Sequence, residues 1–242
     1  MKYLDASGMD YVNLNRAVRV CHEDVSIQNC LGQRFIGAGA QSGKITIHGV
    51  PGNALGAYLD GATVEVFGNA QDAVGDTMNA GTIVIHGNIG DTAGYAMRGG
   101  RIYVGGNAGY RTGIHMKAYQ DKLPVLAIGG RAGSFLGEYQ AGGIIIVLGL
   151  EKDAESGPVV SNFPCTGMHG GKLYLRSDCA EILFPEQVTA RPASPEDMAE
   201  IEEYLREFCA LLDFNFDTVY ASPYTVITPD SKNPYQQMYV AN

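Results

Sequence analysis

Hydrophobic and polar residues alternate in short bursts along most of the chain, and the bursts keep a fixed step. Ile45, Val64, Ile83 and Ile102 are nineteen residues apart, and so are Ile47, Val66, Ile85 and Val104. The residues between them, Thr46, Glu65, Val84 and Tyr103, fall on the opposite face. Alternation of this kind over a few residues marks a strand with one side on a core and the other facing outward. Glycine keeps the same register, in the columns Gly49, Gly68, Gly87, Gly106 and Gly37, Gly56, Gly75, Gly94, Gly113. A third column runs Gly43, Ala62, Gly81, Gly100. The repeating unit is a short strand followed by a glycine-punctuated corner.

Strands recurring at this interval leave no room for the helical crossovers of a parallel nucleotide-binding sheet. Each strand must stack on its counterpart one repeat further on. The spacing therefore predicts an all-β fold: a single-stranded right-handed parallel β-helix with like side chains in ladders up its inside. After a short insertion the pattern resumes with Leu126 and Ile128 in ladder positions, continues through Gly143 to Val147 and, after a longer insertion, through Gly171 to Leu175. This gives about seven coils and a rod on the order of 30 Å at a strand spacing of ~4.8 Å.

Written out, the corner is G-x-x-G-x-x-x-G. It occurs at Gly49, Gly52 and Gly56, at Gly87, Gly90 and Gly94, at Gly106, Gly109 and Gly113, and at Gly130, Gly133 and Gly137. The copy with Gly68 and Gly75 has Gln71 in the middle. A phosphate-binding loop would occur once and open a helix. A motif that recurs coil after coil serves the backbone instead, through positive φ or close contact between neighbouring coils. Asn69, Asn88 and Asn107 follow corner glycines at the same step, a column expected to bond amide to amide between coils.

Around Arg191 the character changes, which divides the chain into a repeat region, 1–190, with lead-in strands over 1–30, and a C-terminal region, 191–242. Ser194 suits an N-cap, Pro195 the first helical position, and Glu196 and Asp197 the positive end of the dipole. Met198, Ile201, Leu205, Phe208 and Leu212 share one face of a helix over about 195–212. That face is expected to cover the open last coil. The segment "SPYTVITPDSKNPYQQMYVAN" is expected to be an extended arm packed on this protein or on a partner.

Composition narrows the function. With 45% hydrophobic residues, 18% charged and 32 glycines, the 242 residues describe a globular chain with many tight backbone positions. A formal charge of −9 argues against general nucleic-acid binding, which needs a basic surface. The longest apolar run, Ile144 to Leu150, is too short for a membrane span, and the N-terminus lacks the apolar run of a signal peptide. A cytoplasmic location is expected. Cys21, Cys30, Cys165, Cys179 and Cys209 include no C-x-x-C pair and read as reduced thiols.

Candidate chemistry is thin. His48 and His86 are equivalent positions two coils apart with Phe67 between, and ~10 Å is too far for a shared metal. Asp72 and Asp91 are equivalent on adjacent coils and could hold a cation or simply form turns. Cys165, His169 and Cys179 are the only Cys/His cluster and lack a fourth ligand. No catalytic, cofactor-binding or metal residue is expected, and the glycines above are structural corners.

Residues 32–116, "GQRFIGAGAQSGKITIHGVPGNALGAYLDGATVEVFGNAQDAVGDTMNAGTIVIHGNIGDTAGYAMRGGRIYVGGNAGYRTGIHM", resemble the β-helical GXGXG domain at the C-terminus of the glutamate synthase large subunit. The "GMHGG" at 167–171 and the tail "TPDSKNPYQQMY" look like the stand-alone, archaeal-type form of that domain. One of the subunits of formylmethanofuran dehydrogenase carries a similar array, so a scaffold role in that type of complex is the alternative. The resemblance implies a non-catalytic subunit that positions a class II glutamine amidotransferase and an FMN-dependent, iron–sulfur synthase, with FMN and iron–sulfur centres on the partner and no cofactor here. Homo-oligomerisation stays open. A polysaccharide-processing β-helix enzyme is a third expectation; it would need an exposed acidic groove and usually an export signal.

Overall fold

The alternating segments become stacked strands in a computed structural model that describes residues 1–21, 23–150 and 158–230. β1 (Lys2–Asp5) is followed by α1 (Tyr11–Arg19), β2 (Val25–Leu31), β3 (Lys44–Val50), β4 (Asp60–Phe67), β5 (Ala80–Ile85) and β6 (Arg101–Val104). Then come β7 (Val125–Ile128), β8 (Ala141–Val147), β9 (Gly170–Leu175), β10 (Val188–Pro192), α2 (Pro195–Leu212), α3 (Phe216–Tyr220) and β11 (Thr225–Pro229). Strands β1 to β9 pair in parallel in chain order, so the chain is a β-solenoid of about eight turns. The additional turn is β2, where Val25 and Ile27 pair with Ile45 and Ile47.

Register follows the nineteen-residue step. Ile45 pairs with Val64, Val64 with Ile83 and Ile83 with Ile102. Beyond the first insertion Ile102 pairs with Leu126, which pairs with Ile145, which pairs with Leu173. All of these are buried, each worth roughly 1.5–3 kcal/mol relative to exposure. The turn side adds two more internal columns, Leu55, Val74, Ala93 and Leu59, Met78, Met97, Met116.

The ends and one flank differ from expectation. Residues 11–19 form a helix rather than a lead-in strand. Asp10 caps it by accepting from the Asn13 N–H at 2.8 Å, Leu14 is buried, and Val18, four residues on, packs on the same core. α1 thus closes the N-terminal end. α2 begins at a capping box between Ser194 and Asp197, but it lies along the strands and not over the last coil. The outward column explains this: it is polar at Ser26, Thr46 and Glu65 and apolar at Val84, Tyr103, Ala127, Ile146 and Tyr174. Ile201, Leu205 and Phe208 cover the apolar part and form a second core with it. The last coil is closed by β11, which pairs antiparallel to both β9 and β10 and places Ile227 on Leu173. The rest of the expected arm, 231–242, lies outside the described residues, as do 151–157 in the longer insertion.

Charged and phenolic groups seal the α2 seam. Arg191 donates to Asp197 at 2.5 Å, and this pairing holds the Asp197 carboxyl well below the usual carboxylate range. Lys172 donates to Glu200 at 2.6 Å, and Arg101 pairs with Glu203 at 2.9 Å and with Glu207. The Tyr103 hydroxyl donates to Glu207 at 2.8 Å. Burial, reinforced by the neighbouring glutamates, pushes the Tyr103 and Tyr174 phenols far up.

These shifts bracket the pH range of α2 docking. A depressed carboxyl stabilises the fold above its unfolded value of about 3.9 and loses that contribution as pH falls. A raised phenol contributes below its unfolded value of about 10, and the contribution fades as pH rises. Chemical denaturation across pH is expected to show a plateau with an acid and an alkaline decline. Asp197→Asn should lower the plateau and flatten the acid limb, and Tyr103→Phe should shallow the alkaline limb. Unchanged limbs in both variants would contradict this assignment.

Candidate functional site

The corner glycines do two different physical jobs. Those in the last position, Gly56, Gly75, Gly94, Gly113 and Gly137, have φ between +64° and +74°, where a side chain is strained. Those in the first and middle positions of the later copies, Gly87, Gly90, Gly106, Gly109, Gly130 and Gly133, have no positive φ, and there the coil below fills the space of a Cβ. Gly49 and Gly52 sit as close to the Cys30 and Gly32 carbonyl oxygens, each 2.2 Å from where a Cβ would be, and Gly68 to that of Gly49 at 2.4 Å.

At Gly87, Gly90, Gly106, Gly109 and Gly130 the nearest crowding atom is an Asx side-chain oxygen, and at Gly133 it is the Gly109 backbone. Asn69 Oδ1 accepts from the Asn88 N–H at 2.8 Å, Asn88 Oδ1 from the Asn107 N–H at 2.7 Å, and Asn107 Oδ1 from the Arg131 N–H at 2.6 Å. The asparagines therefore bond side chain to backbone in the next coil, in place of the expected amide-to-amide ladder: reaching the N–H satisfies a donor that the corner leaves free of the strand ladder. To do so, each oxygen sits over the preceding glycine, 2.2–2.3 Å from where Cβ would be on Gly87, Gly106 and Gly130. Asp72 and Asp91 work alike, accepting from the Asp91 N–H at 2.9 Å and the Tyr110 N–H at 2.8 Å. These bonds account for one oxygen of each aspartate and tie the two to the turns.

The other candidates separate in space. His48, Phe67 and His86 form a continuous ring stack, with centroids 5.1 and 4.4 Å apart. His86 Nε2 lies 3.0 Å from Glu65, which also pairs with Lys44 at 2.7 Å. Burial alone would raise the Glu65 carboxyl, but its bonds to Lys44 and His86 outweigh this and hold it low. Cys165 and Cys179 are buried free thiols in the main core, each raised by burial, and His169 Nδ1 faces the Gly167 carbonyl at 3.0 Å. No three His, Cys, Asp or Glu residues come together as a metal site among the described residues. No helix among them is long and apolar enough to cross a membrane.

A surface that the sequence reading missed lies on the turn side. Tyr110, Phe135 and Phe163 form one ladder, at centroid spacings of 5.4 and 5.2 Å. Tyr95, His115 and Tyr139 form another, at 6.0 and 5.1 Å. The Arg111 guanidinium lies over Tyr110 and Phe135, 4.9 and 5.7 Å from the ring centres, and its Nε is 2.8 Å from the buried Glu138. Phe163 is 62% exposed, so the ladder ends in an uncovered ring. Insertions concealed it: Arg111, Phe135 and Phe163 occupy one column but are 24 and 28 residues apart. Continuing the strand register across the insertions onto the turn side would have revealed it.

Fold and corners together define a class: a parallel β-solenoid held by recurrent glycine and Asx columns, with an aromatic flank. The chain belongs to the GXGXG motif family, whose model matches residues 7–225. It is also 44% identical over 248 aligned positions to an uncharacterized protein of Methanocaldococcus jannaschii, an alignment that covers 98% of this chain and 95% of that one.

The corner geometry predicts a signed coupling. A Cβ on Gly90 would lie 2.1 Å from Asp72 Oδ1, while its next neighbour is 3.1 Å away. Gly90→Ala is expected to cost about 1–3 kcal/mol through overpacking and Asp72→Ala about 1 kcal/mol through the lost hydrogen bond. The double variant should be less destabilised than the sum by at least ~1 kcal/mol, because the clash and its cause leave together. Strict additivity in thermal or denaturant unfolding would refute the shared origin.

Proposed function

We propose that this chain is a non-catalytic scaffold subunit of a glutamate synthase-type complex that transfers the amide nitrogen of glutamine to 2-oxoglutarate in the cytoplasm. The observation that carries the reading is the GXGXG match over residues 7–225, a motif family also found in the C-terminal region of the glutamate synthase large subunit. The glycines that could have suggested a ligand loop are engaged in coil contacts and left-handed corners. A class II glutamine amidotransferase and an FMN-dependent iron–sulfur synthase are the partners in this reading, and both cofactors reside on the synthase. The turn-side aromatics with Arg111 provide the docking flank, since Tyr, Phe and Arg in a packed cluster are side chains that dominate protein interfaces.

Co-expression with the two partner classes is expected to yield a complex that contains this chain and forms glutamate. Phe163→Asp combined with Tyr110→Asp should weaken capture at least about thirtyfold, the size of one interface hot spot of about 2 kcal/mol, and leave the thermal midpoint close to the parent's. Recovery with pterin-containing dehydrogenase subunits instead, or full capture by the double variant, would overturn the assignment or the docking flank respectively.

A further inference from the structure

The first turn of the solenoid carries backbone donors that every later turn satisfies. At the position of Gly37, Gly56 donates to the Ile36 carbonyl at 2.9 Å, Gly75 to Leu55 at 2.8 Å, Gly94 to Val74 at 2.8 Å and Gly113 to Ala93 at 2.7 Å. At the position of Gln41, Asp60 donates to Ala40 at 2.9 Å, Asn79 to Leu59 at 2.8 Å and Arg98 to Met78 at 2.8 Å. Each bond reaches into the turn below. Gly37 and Gln41 have no such turn beneath them, and among the described residues their N–H groups find no acceptor. Nearby, the chain solves the same problem with a side chain: Asp24 Oδ1 accepts the Lys44 N–H at 2.9 Å.

Where the missing turn would lie there is a cavity of about 470 Å³, bounded by residues 37–45 and by Asn15, Val18 and Arg19 of α1. Arg19 is exposed and makes no ion pair with the described residues, in a chain with 26 acidic and 17 basic side chains. Glu23, the one carboxylate among the described lining residues, is held by the N-terminal ammonium group. Two N–H groups without an acceptor, on a turn with positive φ at Gly37, Gly39 and Gly43, line the same concavity as the unpaired Arg19, a combination suited to negative oxygen atoms.

We propose that this cavity binds a small ligand through a phosphate or carboxylate group, which accepts from Gly37 and Gln41 N–H while Arg19 supplies the countercharge. The site rests on these donors alone and stands whether or not the chain is a scaffold subunit.

The test is amide-resolved NMR of the full chain titrated with inorganic phosphate and, separately, with acetate, against sodium chloride at matched ionic strength. Saturable shifts of the Gly37 and Gln41 amides with either oxyanion, absent with chloride, are expected. The oxyanion that acts identifies the ligand's chemistry. Arg19→Ala should raise the apparent Kd about tenfold, the loss of one charge-assisted hydrogen bond, with an unchanged thermal midpoint because its side chain is on the surface. Shifts that are absent, that grow without saturating, or that persist at the same concentration in Arg19→Ala would overturn the proposal.

Discussion

Backbone stacked on backbone at ~4.8 Å is the constraint on which the rest of this structure depends. At that spacing, any atom that reaches from one coil to the next must displace something in the coil it enters. An asparagine or aspartate oxygen that bonds an N–H one turn away occupies the place where the neighbouring Cβ would be. At Gly87, Gly90, Gly106, Gly109 and Gly130 glycine is then required because of the side chain one coil below, and there the glycine and Asx columns are a single feature. Glycine in regular structure costs roughly 0.5–1 kcal/mol relative to alanine. A hydrogen bond contributes about the same, so the corners hold position and register more than they add net stability. Most of the stabilisation comes from the internal aliphatic ladders, which the same register brings together.

That division shows what could be read from the sequence. The ladders were legible because alternation and the nineteen-residue step both survive inside the strands, even across the first insertion, where Leu126 and Ile128 fall into line. The start of α2 was legible because Ser194 and Pro195 are a local signal that needs no tertiary information. α1 was not, since only Leu14 and Val18 mark its buried face and strand-like neighbours flank it. The asparagine column was visible but its bonding partner was not: a sequence shows that residues align, and only coordinates show whether an amide meets an amide or a backbone N–H. The turn-side aromatics stayed hidden because a fixed step breaks wherever a coil grows longer, as it does between Arg111, Phe135 and Phe163.

A stack of parallel coils has two unlike ends, and the chain treats them differently. At the C-terminal end, β11 reverses direction against β9, so its own hydrogen bonds complete the edge while Ile227 finishes the aliphatic ladder. An antiparallel strand stops propagation because it cannot present the same register to a further coil. At the N-terminal end, a helix covers the core through Leu14 and Val18 but cannot supply carbonyls in the pattern of a coil. A helix uses its own carbonyls internally, so a coil capped by one keeps unmet donors. The cavity below Gly37 follows from this mismatch between cap and stack.

The flanks divide in the same way. Where the outward strand column turns apolar, from Val84 to Tyr174, α2 covers it and Glu207 and Glu200 take the buried phenols as donors. No element of the chain among the described residues does this for the turn side, although Tyr110, Phe135 and Phe163 present neighbouring rings over three turns. Their spacing is imposed by the coil, so the rings are already ordered before any contact is made. Side chains held in place lose little further freedom on association, and that is the condition under which an aromatic cluster contributes most to binding. A rod whose coils contact only their neighbours can therefore keep one flank for its own helix and hold another rigid for a partner, without either disturbing the stack between them.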